Sequence, residues 1–70
     1  MPEPNLLLTP AELEVLQMYA QGLKRGEVAD KRFVSTRTID RHVENIREKT
    51  GFHTMYEAVA WGIKQGVIEI

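Results

Sequence analysis

The stretch Ser35-Thr36-Arg37-Thr38-Ile39-Asp40-Arg41-His42-Val43-Glu44-Asn45-Ile46-Arg47-Glu48-Lys49-Thr50-Gly51 decides the fold. Ser35 is a residue type whose side-chain oxygen accepts from the first free backbone N–H groups of a helix. At about 100° per residue, Ile39, Val43 and Ile46 fall within a narrow arc, with Thr50 beside them. The opposite side carries Arg37, Arg41, Glu44 and Glu48. Gly51 is suited to the left-handed residue that ends a helix. The spacing therefore predicts a helix over 36–50, the longest in the chain, with one apolar stripe turned inward and a charged face turned outward.

Working upstream, residues 25–31 read as a short helix with Val28 and Ala29 inward and Phe33 following as an anchor, although Gly26 weakens its propensity. Thr9-Pro10-Ala11-Glu12 is a capping box: the Thr9 hydroxyl accepts from the Glu12 N–H, and the Glu12 carboxylate reaches back. Pro10 at the first helical position sacrifices only an N–H with no partner in the helix. Leu13, Leu16, Ala20 and Leu23 recur at helical spacing, and Gly22 is a stop signal, so a helix is predicted over 10–21. Downstream, Thr54-Met55-Tyr56-Glu57 is a second capping box. Met55, Val59, Gly62 and Ile63 form the expected inward stripe of a fourth helix that ends at Gly66, and the apolar tail 67–70 is expected to fold back on the core. Met1 to Leu7, with Pro2 and Pro4, reads as a flexible tail ahead of a domain over 8–70. No alternating strand pattern occurs. The expected fold is all-α, a four-helix bundle whose second and third helices form a helix-turn-helix: a short helix, a tight turn and a longer capped helix.

Composition narrows the function. Seventy residues form one domain. The absence of cysteine excludes a disulfide scaffold and a thiolate zinc site. No apolar run approaches the roughly 18 residues of a membrane span, and Met1 to Asn5 carries no basic or apolar signal segment, so a cytoplasmic protein is expected. A chain this short has little material to enclose a substrate. It offers no nucleophile–base constellation, no phosphate-binding glycine loop and no paired carboxylates. No catalytic residue, metal, cofactor or small-molecule substrate is expected. His42 reads as a packed histidine beside the core arc, and His53 lacks a partner ligand. The formal net charge of −1 is unevenly spread: eight of the nine basic residues, against five of the ten acids, lie between Lys24 and Lys49. Local field matters more than total charge to a polyanion.

The ordered positions Leu8-Thr9-Pro10, Glu12 to Leu16, Ala20 to Leu23, Glu27-Val28-Ala29, Ser35, Thr38-Ile39, His42-Val43, Asn45-Ile46, Lys49 and Glu57-Ala58-Val59 match a known pattern. In these residues the chain resembles the LuxR/FixJ-type (GerE-like) helix-turn-helix domain of bacterial transcription regulators. The resemblance runs over about residues 8–68 and implies a response-regulator output domain acting on double-stranded DNA in the bacterial nucleoid. It implies that helix three enters the major groove, that helix four forms a homodimer on a two-fold site, and that RNA polymerase is a candidate partner. It places base contacts on Asp40, Arg41 and Glu44, and backbone contacts on Ser35, Thr36, Thr38 and Lys49, with Asn45 as a further backbone contact on the same helix. The chain departs from the family at Ala11, commonly arginine, and at Gly26, often lysine, for which Lys24 and Arg25 can substitute as backbone contacts. It also departs at Asp40, commonly lysine, and at Glu44, often basic or small.

Arg37 and Arg41, one turn apart, can each fork onto guanine O6 and N7. The ordinary alternative for this set is a solvated face of i,i+3 and i,i+4 neighbours. Asp40 and Glu44 can accept from cytosine N4 or act by excluding other sequences. Lys31, Arg32 and Lys49 suit phosphate rather than base recognition. On helix four, Trp61 lies on the wheel with Glu57 and Lys64, beside Ala60. These four form a candidate dimer interface, and the competing reading is a tryptophan half-buried at the domain edge. A second functional reading is an interaction module that pairs through helix four with a larger LuxR-type regulator and inhibits it.

Overall fold

The computed structural model describes residues 7–69. Its helices are α1 (Pro10–Ala20), α2 (Arg25–Arg32), α3 (Thr36–Thr50) and α4 (Met55–Gln65), and no strand occurs among the described residues. The expected tail falls outside them except for Leu7, which packs against the core.

Each helix starts where a polar side chain can serve free backbone donors. Thr9 Oγ1 accepts from the Glu12 N–H at 3.2 Å, and Glu12 Oε1 accepts from the Thr9 N–H at 2.9 Å, which is the complete capping box. Glu27 accepts from the Lys24 N–H at 2.8 Å ahead of α2. Ser35 Oγ accepts from the Thr38 N–H at 3.2 Å ahead of α3. Thr54 Oγ1 accepts from the Glu57 N–H, but the Glu57 carboxylate accepts from the Thr54 hydroxyl rather than from its backbone, so only half of that expected box forms.

Helix α3 packs against α1, α2 and α4, and Val15, Leu16, Val28, Ile39 and Ile46 are fully buried where they meet. The tail closes the far end. Ile68 is buried, and Gln17 clamps the backbone of Glu69, with the Glu69 N–H donating to Gln17 Oε1 at 2.9 Å and Gln17 Nε2 donating to the Glu69 carbonyl. Gly62 makes this closure possible. A Cβ there would stand 2.9 Å from the Ile68 side chain and 3.1 Å from Leu16 Cδ2.

Two packing expectations are corrected. Phe33 does not anchor α2: it adopts a left-handed conformation (φ 56, ψ 42) and is 95% exposed. The Val34 N–H bonds the Ala29 carbonyl at 3.0 Å, which turns the chain sharply and throws the Phe33 ring outward. The inward face of α4 is also rotated from the predicted stripe. Ala58 and Gly62 are buried, Met55 and Val59 are half-buried, and Ile63 faces outward. The small residues let α4 approach closely, so the contact centres on them rather than on the larger apolar side chains.

Candidate nucleic-acid interface

The turn after α2 delivers the start of α3 to the surface. Ser35, Arg37, Thr38, Asp40, Arg41 and Glu44 line one open depression there. All four expected base-contacting residues thus share a site with two of the expected backbone contacts. Thr36 is exposed at the same end of the helix. Helices α1, α2 and α4 each carry a glutamate in the first turn, whereas α3 carries no acid there. The positive end of its dipole is therefore left facing solvent beside Arg37.

The charges of this face differ in how they are held. Arg37, Arg41 and Glu44 are exposed and form no ion pair with any described residue. Arg25 Nη1 lies 3.2 Å from both carboxylate oxygens of Asp40, which ties the first residue of α2 to the outer face of α3. Tyr19, half-buried near the end of α1, lies close enough to feel both charges. Burial and the Asp40 carboxylate push its phenol above the usual tyrosine range, and Arg25 partly opposes them. Lys24 is exposed, and Asn45 is half-buried on the flank of α3 with His42.

Three expected or candidate contacts meet partners inside the fold. Lys49 Nζ donates to Glu12 Oε1 at 2.7 Å, and Glu12 is only 3% exposed. Burial raises the Glu12 carboxyl, but the Lys49 ammonium and the Thr9 N–H together outweigh it and hold the group below its ordinary value. Lys49 thus joins the end of α3 to the start of α1. Arg32 Nη1 lies 2.7 Å from Glu14 Oε2, and its side chain is mostly covered. Trp61 is half-buried, with its ring edge-on to Phe52 at a centroid distance of 6.3 Å. Of the four residues expected at the α4 interface, Glu57, Ala60 and Lys64 are exposed.

Sequence reasoning did not reach Tyr56, which is 86% exposed. With Ala60 and Ile63 it forms an apolar stripe on the outside of α4, at i, i+4 and i+7, flanked by Glu57 and Lys64. Its signal was the spacing, masked by the assignment of Ile63 to the inward face. The Arg25–Asp40 pair had no local signal, since only the packing of α2 on α3 brings these two residues together.

The chain matches the bacterial regulatory proteins of the luxR family over residues 6–61. It is 39% identical over 61 residues to a transcriptional regulatory protein, YxjL, of Bacillus subtilis, covering 87% of this chain and 28% of that protein. It is 34% identical over 67 residues to the oxygen regulatory protein NreC of Staphylococcus aureus, covering 96% of this chain and 31% of that protein. The chain spans under a third of the length of these curated relatives. An all-α fold with α2 and α3 as a helix-turn-helix, an exposed arginine pair on α3 and this match lead to one assignment: the chain belongs to the luxR family of bacterial regulatory proteins and forms that family's DNA-binding helix-turn-helix, a regulatory rather than an enzymatic domain.

Proposed function

We propose that this chain acts as a sequence-specific, double-stranded-DNA-binding transcription regulator in the bacterial cytoplasm, with α3 in the major groove and two copies paired through α4 on a two-fold site. The observation that carries the reading is the shared depression of Ser35, Arg37, Thr38, Asp40, Arg41 and Glu44 at the open start of α3. A recognition helix presents the N-terminal part of its outer face to base edges. Arg37 and Arg41 are the guanine-reading pair, because a planar fork matches O6 and N7 and neither arginine forms an ion pair among the described residues. Glu44 accepts from a cytosine amino group. Ser35, Thr36, Thr38 and Lys24 serve the phosphate backbone around them, with Asn45 at the flank. Lys49 serves a phosphate only when its ammonium leaves Glu12, so its part in backbone binding is the smallest of the set. RNA polymerase is the candidate partner at a promoter.

Fluorescence anisotropy of a mixed-sequence duplex at two salt concentrations tests this, with Arg41→Ala alongside. Affinity should fall steeply with salt, because phosphate contacts release counterions. Against a selected site, Arg41→Ala should cost a further 1–3 kcal/mol, about one bidentate guanine contact. Flat anisotropy at low salt would reject the reading. A second reading, an inhibitory module that pairs through α4 with a longer regulator, draws support from the exposed Tyr56–Ala60–Ile63 stripe. Repression in cells that persists in Arg41→Ala would favour it.

A further inference from the structure

Arg25 and Asp40 stand at the rim of the proposed DNA-facing surface, one at the start of α2 and the other within the depression on α3. Their contact is a single guanidinium nitrogen shared between two carboxylate oxygens, each at 3.2 Å. It is not the two-nitrogen fork that makes arginine–carboxylate pairs strong. Both side chains are more than half exposed, at 58% and 51%, so solvent and a phosphate can reach either. No other described hydrogen bond holds either charged group. This pair is therefore easily opened, and it sits where a polyanion would approach. The other two ion pairs among the described residues differ: Lys49–Glu12 and Arg32–Glu14 each have one largely covered member and tie two helices together.

We propose that Asp40 serves as an intramolecular counter-ion for Arg25, withholding that arginine from the DNA backbone and so suppressing sequence-independent binding. The proposal rests on the DNA-binding reading above and adds a determinant of specificity to it. A cation already neutralised by a carboxylate gains little from a phosphate, because it must give up its own partner to take the new one. It also adds little to the release of counterions that drives non-specific association. Arg37 and Arg41, with no carboxylate partner among the described residues, keep their full contribution. Lowering non-specific affinity without touching the guanine-reading pair raises the ratio of specific to non-specific binding, which is the quantity that matters against a genome of competing sites. Asp40 in this role acts through Arg25, by holding its guanidinium away from the phosphates, rather than through any base it faces.

The test is a double-mutant cycle on non-specific binding. Wild type, Asp40→Asn, Arg25→Gln and the double variant are titrated against a random-sequence duplex between about 50 and 200 mM salt. Glu44→Gln serves as a control, since Glu44 is a carboxylate on the same face without an ion-pair partner among the described residues. Circular dichroism confirms that each variant folds. Asp40→Asn should tighten binding several-fold at the lower salt and steepen the salt dependence by about one phosphate contact. In the Arg25→Gln background that gain should shrink to the size seen with Glu44→Gln. An equal gain in both backgrounds, or no gain beyond that of Glu44→Gln, would mean that Asp40 merely repels phosphate and would overturn the counter-ion role while leaving DNA binding intact. Absence of salt-dependent binding in every variant, wild type included, would overturn the DNA-binding reading and this inference with it.

Discussion

Glu12 shows how one side chain joins local and tertiary structure. Its carboxylate completes the cap of α1 through the Thr9 N–H and accepts from Lys49 at the other end of α3. Its pKa is lowered from an ordinary 4.5, so the unfolded chain binds the proton more readily than the folded one. The stabilisation is therefore fully present above about pH 4.5 and is lost as the pH falls through the lower folded value. Thermal unfolding between pH 7 and pH 3 should show this loss in the wild type and a shallower acid dependence in Glu12→Gln. At neutral pH, Lys49→Ala should cost roughly 1.5–3 kcal/mol, as expected for a charge-assisted hydrogen bond to a buried carboxylate. A neutral effect of Lys49→Ala would mean that the contact is idle. The sequence carried the Thr9 half of this network through the spacing of a capping box. It did not carry the Lys49 half, because nothing local links two residues that far apart.

At the scale of elements, the turn between α2 and α3 is a conflict between residue and conformation. Phe33 occupies the left-handed region, where a side chain costs roughly 1–2 kcal/mol relative to glycine, yet its ring is almost wholly in solvent. No packing in the fold offsets that cost. Phe33→Gly should therefore stabilise the domain by about 0.5 kcal/mol, the strain removed minus the extra backbone entropy of glycine in the unfolded chain. Chemical denaturation reads this directly, and destabilisation would show that the exposed ring does contribute to the fold. The boundaries of α3 were legible because Ser35 and Gly51 act through bonds to their own helix. The placement of Phe33 was not, because an apolar residue after a short helix reads as an anchor until the direction of the turn is known.

At the scale of the molecule, the outward stripe of Tyr56, Ala60 and Ile63 is where a second copy would pack in the proposed dimer. Trp61, the residue the sequence singled out, is half-buried with its ring edge-on to Phe52. Ile63→Glu should abolish concentration-dependent dimerisation in analytical ultracentrifugation on DNA half-sites, and with it cooperative binding to a two-fold site. Because Ile63 is about two-thirds covered in the single chain, Ile63→Glu should also lower monomer stability by about 1–2 kcal/mol, so chemical denaturation of the monomer accompanies the measurement. Dimerisation that survives Ile63→Glu but fails in Trp61→Ala would return the interface to the tryptophan face.

What the amino-acid order determined by itself was whatever acts over one or two helical turns. That includes the helices and most of their caps, the apolar arc of Ile39, Val43 and Ile46, and the charged outer face of α3 with its arginines one turn apart. These follow from periodicity and from side chains that bond their own backbone. Only the tertiary structure decided which charges remain available. It paired Lys49 with Glu12, Arg32 with Glu14 and Arg25 with Asp40, turned Phe33 outward, and rotated α4 so that Ala58 and Gly62 face the core while Ile63 faces solvent. The physical reason is that ion pairs and packing faces depend on which helices meet and how closely, and close approach is set by small residues whose effect appears only when the partner surface is in place.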